Sequence, residues 1–171
     1  VVIFIVNKFI NKTKFNNLYQ FLSVIIIMNV WIGRWFSYFL SLTIVTVTLV
    51  YILDLPTFLS NAPRLVQEYY YGNAVGSFIL DFFLIAAYIS AGMIVANALN
   101  IHGDDHAGQL GSLALSSALI STVLMYAFLA QNGKSFFTRW FKAAGFRAVI
   151  YDIILVCSVY VVMIQIHNKM F

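Results

Sequence analysis

The stretch LGSLALSSALISTVLMYAFLA, residues 110–130, runs 21 positions without a charged side chain. About 20 apolar residues in a helix cross a hydrocarbon core of about 30 Å. Three further stretches have the same character. Residues 35–53 are uncharged and closed by Asp54, residues 74–99 are interrupted only by Asp81, and residues 148–166 only by Asp152. Lipid offers no hydrogen bonds to the backbone, so each segment must satisfy its own peptide groups, and helices do this. The Ile, Val and Thr of residues 35–53 favour strands in water, but in a bilayer that preference yields. The sequence therefore predicts an all-α integral membrane four-helix bundle in one domain, residues 28–171.

Composition supports this. The chain is 62% hydrophobic and 9% charged, against about 25% charged in soluble domains. So few charges could not cover a soluble globule of 171 residues. Cys157 is the single cysteine, which excludes an internal disulfide and a multi-cysteine zinc site. Ten basic residues against six acidic ones are too scattered for specific nucleic-acid binding.

Residues 1–27 differ from the rest. Eighteen of them are Phe, Ile, Asn, Lys or Tyr, and none is Ala, Gly, Pro or Arg. The shift is from AT-rich to GC-rich codons, as translation upstream of a true start would produce. The expectation is a start at Met28, with residues 1–27 a doubtful leader.

Four spans put the termini and the turn 100–109 on one side, and the loops 54–73 and 131–147 on the other. From Met28, the loop side carries Arg64, Lys134, Arg139, Lys142 and Arg147 against Arg34 and Lys169. Lys and Arg concentrate on the cytoplasmic side, so the two loops are expected there. From Val1, the additional Lys8, Lys12 and Lys14 would level the count.

Both loops carry helix signals. In 134–147, helical spacing aligns Phe137, Trp140, Phe141 and Ala144, with Arg139 and Lys142 opposite and Gly145 as a terminator. This predicts a helix in the headgroup plane, rings in the acyl chains and cations among phosphates. In 61–72, Asn61 is expected to cap, Pro63 to open a helix and Gly72 to end it. Leu65, Val66, Tyr69 and Tyr70 are expected to face the membrane. Together these form short interfacial amphipathic helices on one side of the bundle. The candidate lipid- or partner-binding residues are Arg64, Tyr69, Tyr70, Lys134, Phe137, Arg139, Trp140, Phe141, Lys142 and Arg147. Either docking or simple interfacial anchoring would use them.

Small residues recur at four-residue spacing: Gly72 and Gly76, Ala87 and Ala91, Gly92 and Ala96, Ala114 and Ala118. Such faces let helices approach closely, placing spans two and three at the bundle centre. Ser41, Thr48, Ser116 and Ser117 are expected to bond their own backbone or a neighbour.

Asp81 and Asp152 lie within spans, and intramembrane acids point to function by default. Their off-centre depth beside a basic loop favours a structural reading. Arg147 or Lys142 is the expected partner of Asp152, and Arg139 that of Asp81. The turn His102-Gly-Asp-Asp-His106 holds nitrogen and oxygen donors, but a flexible turn rarely holds four ligands in a tetrahedron. Asp104 and Asp105 are instead expected to cap the third span, so no metal and no cofactor is assigned. Phosphate loops, nucleophile elbows and His-Glu-x-x-His or Cys-x-x-Cys motifs do not occur, so no enzyme is expected.

The stretch RWFKAAGFRAVIYDIILV, residues 139–156, resembles the last loop and span of small multi-pass membrane proteins of large DNA viruses of algae and protists. The resemblance implies a virion protein of the membrane beneath a capsid. It points to Arg139 to Arg147, Tyr151 and Asp152 as the region tying membrane to capsid proteins. The functional expectation is thus a structural, non-enzymatic protein of a viral internal membrane or host endomembrane. Its expected partners are anionic lipids, other membrane or capsid proteins, or a second copy of itself. The competing expectation is a small oligomeric channel or transporter using Asp81 and Asp152.

Overall fold

The structure is a computed structural model describing residues 31–131 and 133–170. The expected start at Met28, the leader and its lysines lie outside the described residues.

Four long helices form the bundle: α1 (Trp31–Ile52), α4 (Ala74–Ala98), α5 (His106–Ala130) and α7 (Phe146–Met170). Each is long and apolar enough to cross a membrane. Short helices join them at one end: α2 (Leu55–Ser60) and α3 (Pro63–Val66) between α1 and α4, and α6 (Phe136–Ala144) between α5 and α7. The fold is the expected all-α membrane bundle with short helices on one side, and the chain is a multi-pass integral membrane protein.

Helices α1, α5 and α7 begin before the uncharged stretches. Arg34, His106 and Arg147 sit in first or last turns, where long side chains reach the interface. The end of α1 widens into a π-helical turn at Val47–Ile52, and Asp54 then breaks the helix with φ 46°. Asn100 ends α4's exit turn with φ 55°. Asp and Asn tolerate this left-handed region better than most residues. Asp105 caps α5 as expected, its carboxylate accepting from Gly108 N at 2.9 Å; Asp104 has no such role.

Helix α5 lies between α4 and α7, and α4 lies between α5 and α1. There Tyr38 donates to the Phe82 carbonyl at 2.5 Å and Trp35 stacks on Phe82. Of the small-residue pairs, Gly92 and Ala96 are buried, whereas Gly72, Gly76 and Ala87 are exposed. A Cβ on Gly92 would stand 2.9 Å from Leu113 Cα, so α4 and α5 touch there at backbone range.

The outward surface is apolar: Val75, Phe83, Ile94, Leu119 and Val123 are all exposed. A patch of this extent suits acyl chains and not water. The inward surface of α5 is the reverse, burying Gln109, Ser112, Ser116, Ser117 and Ser121.

Candidate functional site

The two loops fold together into one cap. Ser135 opens α6 by accepting from Thr138 N at 3.2 Å. Gly145 ends it at φ 55°, ψ −135°, as the sequence predicted, a conformation open essentially to glycine alone. Helix α6 packs on the end of α5 and on α2, α3 and α7. Tyr69 stacks on Phe136 at 4.7 Å between centroids, and Phe136 stacks on Trp140 at 6.2 Å. Phe128 of α5 meets both Phe137 and Phe141.

This corrects the expected orientation of α6. Trp140 is 8% exposed and Phe141 5%; Ala144 is buried beside them and Phe137 is half-buried. The apolar face meets protein, because the bundle end offers an apolar seat that needs no ordering of lipid. The same correction applies to the first loop. Val66 and Tyr70 are buried and Leu65 and Tyr69 half-buried. Exposed apolar side chains at this end include Ile52, Leu53, Phe58, Tyr71 and Phe146, a surface that suits acyl chains. Asn61 is not a side-chain cap: it closes α2 at φ 54°. Pro63 opens α3 as expected.

The two loops are joined by an ion pair. Arg139 donates from Nη1 and Nη2 to the two Glu68 carboxylate oxygens at 2.8 and 2.5 Å. The hydrogen bond from Arg139 holds the Glu68 carboxyl below its ordinary value and raises the guanidinium further. The guanidinium also lies 6.0 Å from the Phe136 ring centroid. Arg64, Lys134, Lys142 and Arg147 point outward, all exposed. The cap thus turns the rings of α6, with Tyr69 and Tyr70, inward and four of its cations outward.

Beneath the cap both intramembrane acids line one cavity of about 50 Å³, several times the space a water molecule needs. Asp81 lies seven residues into α4 and Asp152 six into α7, about 10 Å from the cap end at 1.5 Å per residue. Tyr69 donates to Asp81 Oδ1 at 2.9 Å, and Ser121 to Asp152 Oδ2 at 2.5 Å. Tyr70 and Tyr151 share a hydrogen bond at 2.9 Å. Burial and the Asp81 charge raise the Tyr69 phenol, and burial followed by Tyr151 raises Tyr70, so both remain hydroxyl donors. Phe136, Phe137 and Trp140 roof the cavity.

The expected cation partners of the acids are therefore corrected. Arg139 is engaged by Glu68, Lys142 and Arg147 face outward, and among the described residues neither acid has a salt bridge. Hydroxyls take that place, because Tyr69 and Ser121 already stand at the acids' depth. Ser121, Tyr88 and Glu68 were not singled out from sequence. Ser121 repeats Ser117 one turn on, which is a readable signal; Tyr88 and Glu68 gave none without the fold.

Ser41 bonds the Tyr38 carbonyl and Thr48 the Ile44 carbonyl, both at 2.8 Å. Ser116 and Ser117 do not follow: both hydroxyls are buried without a partner among the described residues. The turn residues His102, Asp104, Asp105 and His106 form no metal-ligand cluster, and no group of three such donors occurs among the described residues.

No protein family, curated protein or solved structure matches this chain.

Proposed function

We propose that this is a structural membrane protein that ties its bilayer to an acidic protein layer through the cap. One observation supports the reading above others: two separate loops pack into a single unit around the α6 rings, with four cations outside. Loops serving only as connections need no ion pair across 71 residues of sequence. The cap carries five cations against Asp54 and Glu68. With Arg139 satisfied by Glu68, four cations remain on the outward side. A preorganised cationic surface binds with less ordering cost than a mobile loop. The resemblance of residues 139–156 suggests a virion shell as the layer concerned. With a start at Met28, the lysine and arginine bias supports a cap facing the cytoplasm or its viral equivalent.

The test is Lys134→Gln, Lys142→Gln and Arg147→Gln together. Each cation beside an anionic surface contributes about 1 kcal/mol, so about 3 kcal/mol is removed, or somewhat over a hundredfold in affinity. The apolar stretches of the four spans are untouched, so insertion is retained, and protease accessibility of the cap checks that its side is unchanged. Native membranes carrying the triple variant should lose the attached protein layer on washing at physiological salt. Full retention of that layer would refute the reading.

The shared cavity of Asp81 and Asp152 specifically favours a second reading, in which the protein moves protons or small cations. Tyr69 and Ser121 are poor substitutes for a cation if both acids are charged, because a buried charge needs an opposite one.

A further inference from the structure

Beyond membrane attachment, we propose that the bundle interior is a proton pathway. It runs from the carboxylate cavity under the cap, along buried serine hydroxyls of α5, to a cleft at the opposite end. The cavity holds Asp81 and Asp152. The titratable groups facing it are Tyr69, Tyr70, Tyr88 and Tyr151, and among the described residues no cation lines it. Helix α5 supplies Ser121, and α6 supplies only aromatic rings.

From Ser121 the buried face of α5 leads away from the cap. Ser117, Ser116 and Ser112 follow, and then Gln109, which accepts from the Tyr160 hydroxyl. Gln109 and Tyr160 line a cleft with Arg34 and His106 at the far end. Ser121 to Gln109 is 12 residues, about 18 Å at 1.5 Å per residue. Added to the 10 Å depth of the acids, the column covers most of a hydrocarbon core of about 30 Å.

The serines at one-turn spacing stand about 6 Å apart along the axis. Two hydrogen bonds of about 2.8 Å through one water close such a step. Ser116 is 4% exposed and Ser117 0%, and neither hydroxyl has a partner among the described residues. Helical serines commonly bond the preceding turn, as Ser112 bonds the Gly108 carbonyl at 3.0 Å. Two orphaned hydroxyls at the middle of a membrane helix are costly, and the proposed pathway takes bridging waters as their partners.

On the α4 side this level is closed by packing. Leu113 is fully buried, and its Cα would stand 2.9 Å from a Cβ on Gly92. A proton needs only the hydroxyls and waters. In each step Ser121 gives its hydroxyl proton to the Asp152 carboxylate and accepts one from the water on its other side. Asp152 then releases its proton toward the cap. One O–H bond breaks for each that forms, and one positive charge moves.

The experiment uses the full chain in liposomes loaded with a pH-sensitive dye, with a potassium gradient and valinomycin to set the voltage. Wild type should acidify the lumen at least tenfold faster than protein-free liposomes. Ser116→Ala with Ser117→Ala should lower the flux at least tenfold, and Asp152→Asn should do likewise. The serine double variant removes only unpaired hydroxyls, so a purely structural role leaves its melting temperature and its flux unchanged. Equal flux in wild-type and empty liposomes would overturn the proposal. So would a serine double variant that conducts like wild type, or sodium flux matching proton flux. Attachment of the outer protein layer is measured separately, so failure here and failure of the docking reading are distinct results.

Discussion

Replacing Trp140 with Ala separates a cap packed on protein from a helix dipping into lipid. Trp140 is 8% exposed, stacks on Phe136 and roofs the acid cavity. Truncating a buried Trp or Phe costs about 3–5 kcal/mol. The loss falls on α6, whose attachment depends on this face, and not on the spans beneath. At about 1.4 kcal/mol per factor of ten, closure of α6 weakens by two to three and a half orders of magnitude. Amide hydrogen exchange in nanodiscs reads this directly. The α6 amides should exchange at least a hundred times faster in Trp140→Ala, with α4, α5 and α7 unaffected. Lys142→Ala, on the exposed side of the same helix, should change exchange less than threefold. Fluorescence provides a second readout. In a Trp31→Phe, Trp35→Phe background, brominated acyl chains should leave Trp140 emission nearly unquenched. Unchanged α6 exchange together with strong quenching would refute protein packing and return the ring to the lipid.

Gly145→Ala should lower the melting temperature, since φ 55° with ψ −135° strains any side chain by about 1–3 kcal/mol; calorimetry in detergent checks it, and an unchanged transition would contradict the turn geometry. The Glu68–Arg139 pair predicts an acid-sensitive cap. Glu68 is held below its ordinary value of 4.5 by the Arg139 hydrogen bond, so its stabilisation is complete above about 4.5 and lost as pH falls through the lower folded value. Exchange of α6 amides should rise below pH 4.5 in wild type, and Glu68→Gln should abolish that rise. Asp105→Ala should fray the first turn of α5, a cap loss of about 0.5–2 kcal/mol, seen as faster exchange confined to residues 106–109.

The spans were legible because lipid crossing is set by length and absence of charge, and both are read directly from residues 110–130. Their ends were less legible, since Arg34, His106 and Arg147 interrupt an apolar count without interrupting a helix. The inward faces were hidden for a different reason. Soluble helices mark their buried side by apolar periodicity, but here Leu119 and Val123 face out and Ser117 and Ser121 face in, so the usual signal is inverted. The amphipathic pattern of α6 was plain, yet Phe137, Trp140 and Phe141 read the same whether they meet acyl chains or the end of a bundle. The seat formed by Phe128 and Tyr69 comes from two distant segments, and only the tertiary structure brings them together. The acids were found from sequence, but their partners were not: Lys142 and Arg147 are near in sequence, whereas Tyr69 and Ser121 are near in space.

The central claim is that the cap's outward cations contact an acidic protein layer. A photoreactive lysine analogue in place of Lys142, activated in intact native membranes, reports what that position touches. The account predicts a discrete cross-linked protein adduct, which disappears when Lys134 and Arg147 are both replaced by Gln. Adducts to lipid alone would contradict it and leave the cap as an anchor to its own bilayer.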